Sequence, residues 1–272
     1  MIRCLDYNWF TEEYGFFGDF YYISDNSVEG PYKGQLISRE ERTNAEVAMI
    51  CDMMGVQSGQ RLFDCPCGWG RHSIELTKKG VDVTAIDLNH SYLNKLNDAI
   101  VHENEEVKAR ITVERCDMRQ LVGDESYDYG INMFSSFGFF DDEENFLVAR
   151  NFCNMLKPGG KMMIHLDFNA ERLEKGFGFD YAAERNISYE GKNYFLKVFK
   201  EYHDDDKRLH GLWKLVDEDG DSVEKTYSFR IYSRQEMEEL LHNAGFQTVS
   251  FYSTSQAKQT FDDIDTVIIA EK

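Results

Sequence analysis

Residues 62–80 read LFDCPCGWGRHSIELTKKG. An apolar run ends in Asp64. A turn follows that holds Cys65, Pro66, Cys67, Gly68 and Gly70, and then a segment of helical character closed by Gly80. Strand, glycine turn and helix in that order make a corner where free N–H groups at the helix start face a ligand. Glycine lets the main chain approach that ligand closely. The next apolar run, 81–88, carries Asp87, 17 residues after Gly70. A carboxylate there can accept from both hydroxyls of a ribose. A dinucleotide fingerprint would need a further glycine at 73, where the chain has Ser73. A pyrophosphate cradle is therefore poorly supported.

Outward from this corner the chain alternates. Strands are predicted at 61–64, 81–88, 111–115, 127–134 and 161–166, with helices at 71–79, 90–104 and 141–156. Such alternation means right-handed βαβ units and a parallel sheet. Upstream, Ser38 and Glu41 form a capping box. Ala45, Met49 and Met53 then share one face of a helix that Gly55 ends. Downstream, 193–202, 208–216 and 223–232 alternate with period two, the pattern of an antiparallel meander. Ser233 and Glu236 open another capped helix, and strands at 247–252 and 266–270 close the chain. The expected fold is α/β: a doubly wound, mostly parallel seven-stranded sheet with helices on both faces. An antiparallel insertion and an N-terminal aromatic lid are added to it. The expected boundaries are 1–37 for the lid, 38–170 for the nucleotide-binding core, 171–232 for the insertion and 233–272 for the return to the sheet.

The 272 residues carry 49 acidic and 30 basic side chains, a net charge of −19. That surface repels phosphate backbones, so nucleic acid is not an expected partner, and cationic small molecules are weakly favoured. No apolar run approaches the roughly 18 residues that cross a bilayer, so no membrane partner is expected. The start, MIRCLDYNWF, has no signal-peptide pattern. Six scattered cysteines fit a reducing compartment, and a cytoplasmic location is expected. Cys65 and Cys67 form a C-x-C without a second Cys/His pair, so no metal site is expected and both read as corner packing. The acidic clusters at 141–144, 204–206 and 217–221 read as solvated faces and turns. No feature of the sequence specifies an oligomer.

In order along the chain, LFDCPCGWGRHS, VTAIDLN, ERCDMRQL, YDYGINMFSSFGFF and LKPGGKMMIHL resemble the motifs of class I S-adenosylmethionine-dependent methyltransferases, in the small-molecule branch. The resemblance covers about residues 38–170, and FRIYSRQEMEELLHNAGF also fits. Pro66 stands where the family usually has its first glycine. The resemblance implies S-adenosylmethionine as cofactor. Its amino acid end would lie by Asp64, Cys65, Gly68 and Gly70, with Arg42 as a candidate partner for the carboxylate. Its ribose would meet Asp87, beside Leu88. Its adenine would meet the carboxylate of Asp117 and the backbone N–H of Met118. Met133 and Phe134 would lie near the methionyl group.

The implied reaction moves a methyl group onto a nitrogen or oxygen of a small-molecule acceptor. A hydroxyl acceptor needs a base, and a neutral amine does not. His165 is the candidate base, at the C-terminal end of its strand where open α/β sheets bind ligands. Asp167 and Asn169 point the same way. The aromatic segment between Tyr7 and Tyr22 is expected to close over the site. In that reading Tyr14 or Tyr22 contacts the sulfonium or an amine through a cation–π interaction. Two other readings stay open at this point: a nicotinamide-dependent oxidoreductase on the same corner, and a non-catalytic S-adenosylmethionine-binding protein.

Overall fold

The computed structural model describes residues 2–25, 38–166, 181–253 and 266–272. Five parallel strands, β1 (Arg61–Asp64), β2 (Asp82–Asp87), β3 (Ile111–Arg115), β4 (Tyr127–Asn132) and β5 (Leu156–Leu166), form most of one sheet. Four further strands, β6 (Tyr181–Tyr189), β7 (Lys192–His203), β8 (Arg208–Asp217) and β9 (Ser222–Arg230), form a separate antiparallel sheet. The last two, β10 (Thr248–Ser253) and β11 (Thr266–Glu271), return to the first. Its order is β3-β2-β1-β4-β5-β11-β10, with β11 antiparallel to both neighbours. The order reverses between β1 and β4. In open α/β sheets ligands bind outside the C-terminal strand ends at such a switch point.

Alternating strand residues feed two separate cores. Leu62, Met163 and Val267 pack with Val47, Ile50 and Met54 of α2 (Arg39–Met54) and Leu76 of α3 (Arg71–Lys78). Their chain neighbours Phe63, Met162 and Ile268 pack on the other face, with Phe152 of α6 (Asp142–Met155) and Leu241 of α7 (Arg234–Ala244). Burial on both faces is what makes these strands near-continuous apolar runs. Both expected capping boxes are present, at Ser38–Glu41 and Ser233–Glu236.

The structure corrects the sequence reading in three places. The meander has four strands, because Tyr181–Tyr189 pairs along β7. The helix expected to reach residue 104 ends at Val101, and a short helix, α5 (Glu105–Arg110), follows under its own Asn104 cap. The N-terminal segment is not wholly irregular, since α1 (Asp19–Ser24) lies within it. The boundary expected between 37 and 38 falls beside residues outside the described ones, and that between 170 and 171 falls among them. Asp167 and Asn169 also lie outside the described residues.

The arm from 2 to 25 is bonded to the core at Phe17 and Gly18. Asn89, the N-cap of α4 (His90–Val101), donates from Nδ2 to Phe17 O at 2.7 Å, and the Gly18 N–H donates to Tyr92 Oη at 2.9 Å. Trp9 and Phe16 are each 3 % exposed, against Phe139, Trp213 and Tyr227. Arg208 at the start of β8 donates to Phe140 O at 2.9 Å and Phe139 O at 2.8 Å, tying the second sheet to the loop after β4. No helix among the described residues is long and apolar enough to cross a membrane.

Candidate active site

A cleft lies across the C-terminal ends of β4, β1, β2 and β3, and its walls follow that strand order. Met133 and Phe134 come from the end of β4. Gly68, Trp69, Arg71 and His72 come from the corner after β1. Asp87, Leu88 and Asn89 follow β2, and Cys116, Asp117 and Met118 follow β3. The arm supplies Phe10, Phe17, Tyr21 and Asp25.

The two glycines of the corner do different work. Gly68 sits at φ +57°, and a Cβ there would meet nothing within 4 Å, so this backbone leaves space for a ligand. Gly70, at φ +75°, is the N-cap of α3, and its Cβ would fall 2.2 Å from Leu96 Cδ1 of α4. Its side chain is missing for helix packing, which corrects the expectation that it faces the ligand.

Asp87 joins three parts of the site. One carboxylate oxygen accepts from Gly68 N–H at 2.7 Å and the other from Asn89 N–H at 2.8 Å. Each oxygen retains another lone pair. Burial pushes its pKa up to about 6, against the opposing pull of those N–H bonds. Asp64 is buried beneath the turn and does not line the cleft. Its Oδ2 accepts from Ser73 Oγ at 2.6 Å, and burial pushes it up to about 7. Cys65 and Cys67 are buried free thiols that line the corner, raised well above the ordinary thiol range by burial.

A compact charge cluster backs the corner. Glu46 accepts from Arg71 and, at 2.9 Å, from His72 Nε2. Burial alone would raise this carboxyl, but Arg71, His72 and Arg42 override it and hold Glu46 at about 2. Burial, then Arg71, pushes His72 down to about 4, so the ring is neutral and its Nε2–H donates. Arg42 sits behind the cleft wall and pairs with the wall residue Asp25 at 2.6 Å. Arg71, not Arg42, reaches the wall. The sequence signal for it was its place as the basic residue beside the glycine turn.

Asp117 does face the cleft, yet Arg119 grips it as a fork, Nη2 to Oδ2 at 2.6 Å and Nε to Oδ1 at 3.1 Å. Burial raises this carboxyl and the Arg119 contacts lower it, leaving it below its ordinary value. Leu88, Met118, Phe10 and Phe140 make an apolar surround next to it.

Two expected catalytic side chains lie elsewhere. His165 is 2 % exposed and does not line the cleft. Its Nδ1 accepts from Phe134 N–H at 3.3 Å, and its carbonyl accepts from Ser135 N–H at 2.9 Å. Phe134 and Ser135 have φ of 58° and 56°, the left-handed region that side chains rarely adopt. His165 thus braces a strained turn. Tyr14 Oη bonds Thr226 Oγ1 at 2.8 Å and accepts from Thr226 N–H at 3.1 Å, anchoring the arm to β9. Tyr22 packs on Trp69 and Tyr189 outside the cleft. Phe17 and Tyr21 hold the positions expected of Tyr14 and Tyr22.

Beyond Phe134 the cleft continues into a narrower chamber between arm and second sheet. Trp9, Phe16 and Tyr21 form one wall and Trp213, Tyr227 and Phe229 the other, with Phe139 between. Phe17, Tyr21, Phe134 and Phe139 line both spaces.

The shape and chemistry of the cleft fit S-adenosylmethionine: a guanidinium and open backbone at one end, a carboxylate in the middle and an apolar slot at the other. Comparison with known proteins agrees. Residues 62–160 match a family model described as a methyltransferase domain. The chain is 26% identical over 243 residues to the glycine/sarcosine N-methyltransferase of Aphanothece halophytica, covering 88% of this chain and 85% of that one. It is 28% identical over 139 residues to the S-adenosyl-L-methionine-dependent Diels-Alderase iliD of Neonectria sp., covering 50% of this chain and only about half, 49%, of the relative. Among solved structures, S-adenosylmethionine-bound CalS10, an amino pentose methyltransferase from Micromonospora echinaspora, superimposes with a TM-score of 0.67. It does so at 15% identity, over 94% of this chain and 97% of that one. At that identity the likeness concerns the fold.

Proposed function

We propose that this class I S-adenosylmethionine-dependent methyltransferase delivers its methyl group to an amine nitrogen of a small molecule. The carrying observation is the aromatic chamber that opens beside Phe134. Among the described residues its wall holds no carboxylate and no imidazole, only aromatic rings with Ser135 and Lys200. A hydroxyl acceptor there would find no carboxylate or imidazole to take its proton, whereas a neutral amine attacks with its own lone pair. Aromatic faces also stabilise the ammonium product. The names of two similar proteins, an N-methyltransferase and an amino pentose methyltransferase, support the same reading.

S-adenosylmethionine supplies a methyl group on a cationic sulfur that departs as a neutral thioether. The chain's own task is binding, alignment and dryness. Arg71 answers the cofactor's carboxylate while Glu46 and Thr43 hold its guanidinium in place. Asp87 accepts from the ribose hydroxyls, and Leu88, Met118 and Phe10 take the adenine face. Phe134, fixed by His165, marks the border between cleft and chamber. Phe17 and Tyr21 of the arm cover that border and exclude water, which favours an in-line approach of acceptor and methyl group.

The test is turnover with methyl-labelled cofactor against small amines, each paired with its hydroxyl analogue. N-methyl products with stoichiometric S-adenosylhomocysteine are expected. Label found only on oxygen would refute the nitrogen assignment. Tight cofactor binding with no turnover on any pair would favour a non-catalytic binding protein.

A further inference from the structure

The β7–β8 hairpin, read from sequence as an acidic turn, gathers His203, Asp206 and His210. Cross-strand pairing of Glu201 with His210 and of His203 with Arg208 puts these side chains on one face. The first residues of the arm lie over that face. Ile2 N–H donates to Glu201 Oε2 at 2.6 Å, and Arg3 reaches Asp205 at 2.6 Å and Asp206 at 3.3 Å. His203 is 7 % exposed, and neither ring nitrogen has a hydrogen-bond partner among the described residues. Its nearest carboxylate oxygen is Glu201 Oε1, 3.6 Å from Nε2. A buried imidazole with neither nitrogen in a hydrogen bond has room for an ion or water.

We infer that His203, Asp206 and His210 form a binding site for a divalent transition-metal ion of the zinc type. One donor atom from each of the three lies within 4.8 Å of the others. Zinc bonds of about 2.0–2.1 Å in a tetrahedron need donors roughly 3.3 Å apart. His210 Nε2 and Asp206 Oδ2, at 2.9 Å, are already that close, and the His203 and His210 rings are 4.7 Å apart by their centroids. A modest turn of the unbonded His203 ring closes the set. Two imidazoles and a carboxylate suit a borderline-soft cation. Glu201 adds a further negative charge, and water completes the coordination.

Proton accounting adds a consequence. His210 Nδ1 accepts from Cys4 N–H at 3.2 Å, so Nε2 carries the ring proton and donates it to Asp206. A metal bound at Nε2 displaces that proton, which moves to Nδ1, and Nδ1 then cannot accept from Cys4. Metal loading and the Cys4–His210 bond exclude each other. The site therefore links metal occupancy to the seating of the arm's first residues.

The experiment is equilibrium dialysis of untagged, chelator-stripped full-length protein against zinc, followed by metal analysis. One zinc per chain is expected, bound at least tenfold more weakly by His203→Ala and by Asp206→Asn. Circular dichroism would establish that each variant is folded, and His210→Gln would replace one that is not. Cobalt in place of zinc should give d–d bands without a thiolate charge-transfer band, which separates this site from Cys65 and Cys67. Absence of saturable binding, equal binding by the folded variants, or a thiolate band would each overturn the assignment.

Discussion

The imidazole of His165 holds the backbone of Phe134: its Nδ1 accepts the Phe134 N–H at 3.3 Å, from a position 2 % exposed. A side chain placed as a base by its strand position is instead a brace for a left-handed turn. His165→Asn keeps a hydrogen-bond acceptor near that N–H and removes the imidazole. It should retain most of kcat with an unchanged pH profile, and His165→Ala should lower kcat more by freeing Phe134. Loss of a pH-profile limb in His165→Asn would return His165 to the role of base.

Asp87 should make cofactor affinity depend on pH. Its pKa lies at about 6, because burial outweighs the N–H bonds from Asn89 and Gly68. Below that value the carboxyl carries a proton and loses charge-assisted acceptance. Calorimetry should find S-adenosylmethionine bound about tenfold more weakly at pH 5 than at pH 7, one unit of protonation. Asp87→Ala should cost at least tenfold at pH 7, from about 1.5–3 kcal/mol of lost charged hydrogen bonds, and should flatten the pH dependence. Equal affinity in a folded variant would remove Asp87 from the site.

Asp64 should cost stability at neutral and higher pH. Burial raises this carboxyl to about 7 in the folded chain, against about 3.9 when unfolded. The folded state thus keeps a proton that the unfolded state releases. The contribution of this group is most favourable below pH 4 and is lost as pH rises through 7. Asp64→Asn preserves an acceptor for Ser73 and carries no charge. It should melt several degrees above the parent at pH 8, at about 2–4 °C per kcal/mol for a chain of this class, and match it near pH 4. A lower melting temperature at pH 8 would contradict the assignment.

Asn89 should couple the cofactor site to the arm. Its N–H meets Asp87, its Oδ1 caps α4 at Tyr92 N–H, and its Nδ2 holds Phe17 O. Asn89→Ala loses a helix cap worth about 1 kcal/mol and a tether of the arm. Hydrogen exchange should quicken between residues 9 and 22 in the variant, and kcat should fall more than cofactor affinity. Unchanged exchange there would mean the aromatic contacts alone hold the arm.

The sheet was legible because its central strands are apolar on both faces and most of the helices around it carry their own caps. Asp87 was legible because strand end and glycine turn fix its place. The rest depended on contacts between distant segments. Arg42 and Arg71 are both plausible by position, and only the packed structure decides between them: Arg71 lines the cleft, whereas Arg42 lies behind Asp25. Gly70 looks like Gly68 until Leu96 is seen against it. Tyr14 and Tyr21 differ by seven positions in an arm without periodicity, so their directions follow from Thr226 and Trp213, more than 190 residues away. β6 escaped because Glu184, Arg185 and Asn186 interrupt its apolar positions, and its pairing with β7 fixes its place.

The aromatic chamber is walled by the arm, the loop after β4 and the second sheet, whereas Asp87, Gly68 and Arg71 belong to the first sheet and its corner. Trp9 touches both Phe139 and Tyr227, at 4.8 and 5.9 Å between ring centroids, so the three segments share one aromatic seam. Under the proposed function, acceptor choice is thereby separable from cofactor capture, but only as a matched set. A chimera that imports another protein's insertion without its arm would join rings that were never fitted, whereas one importing both with their loop would carry its selectivity across intact.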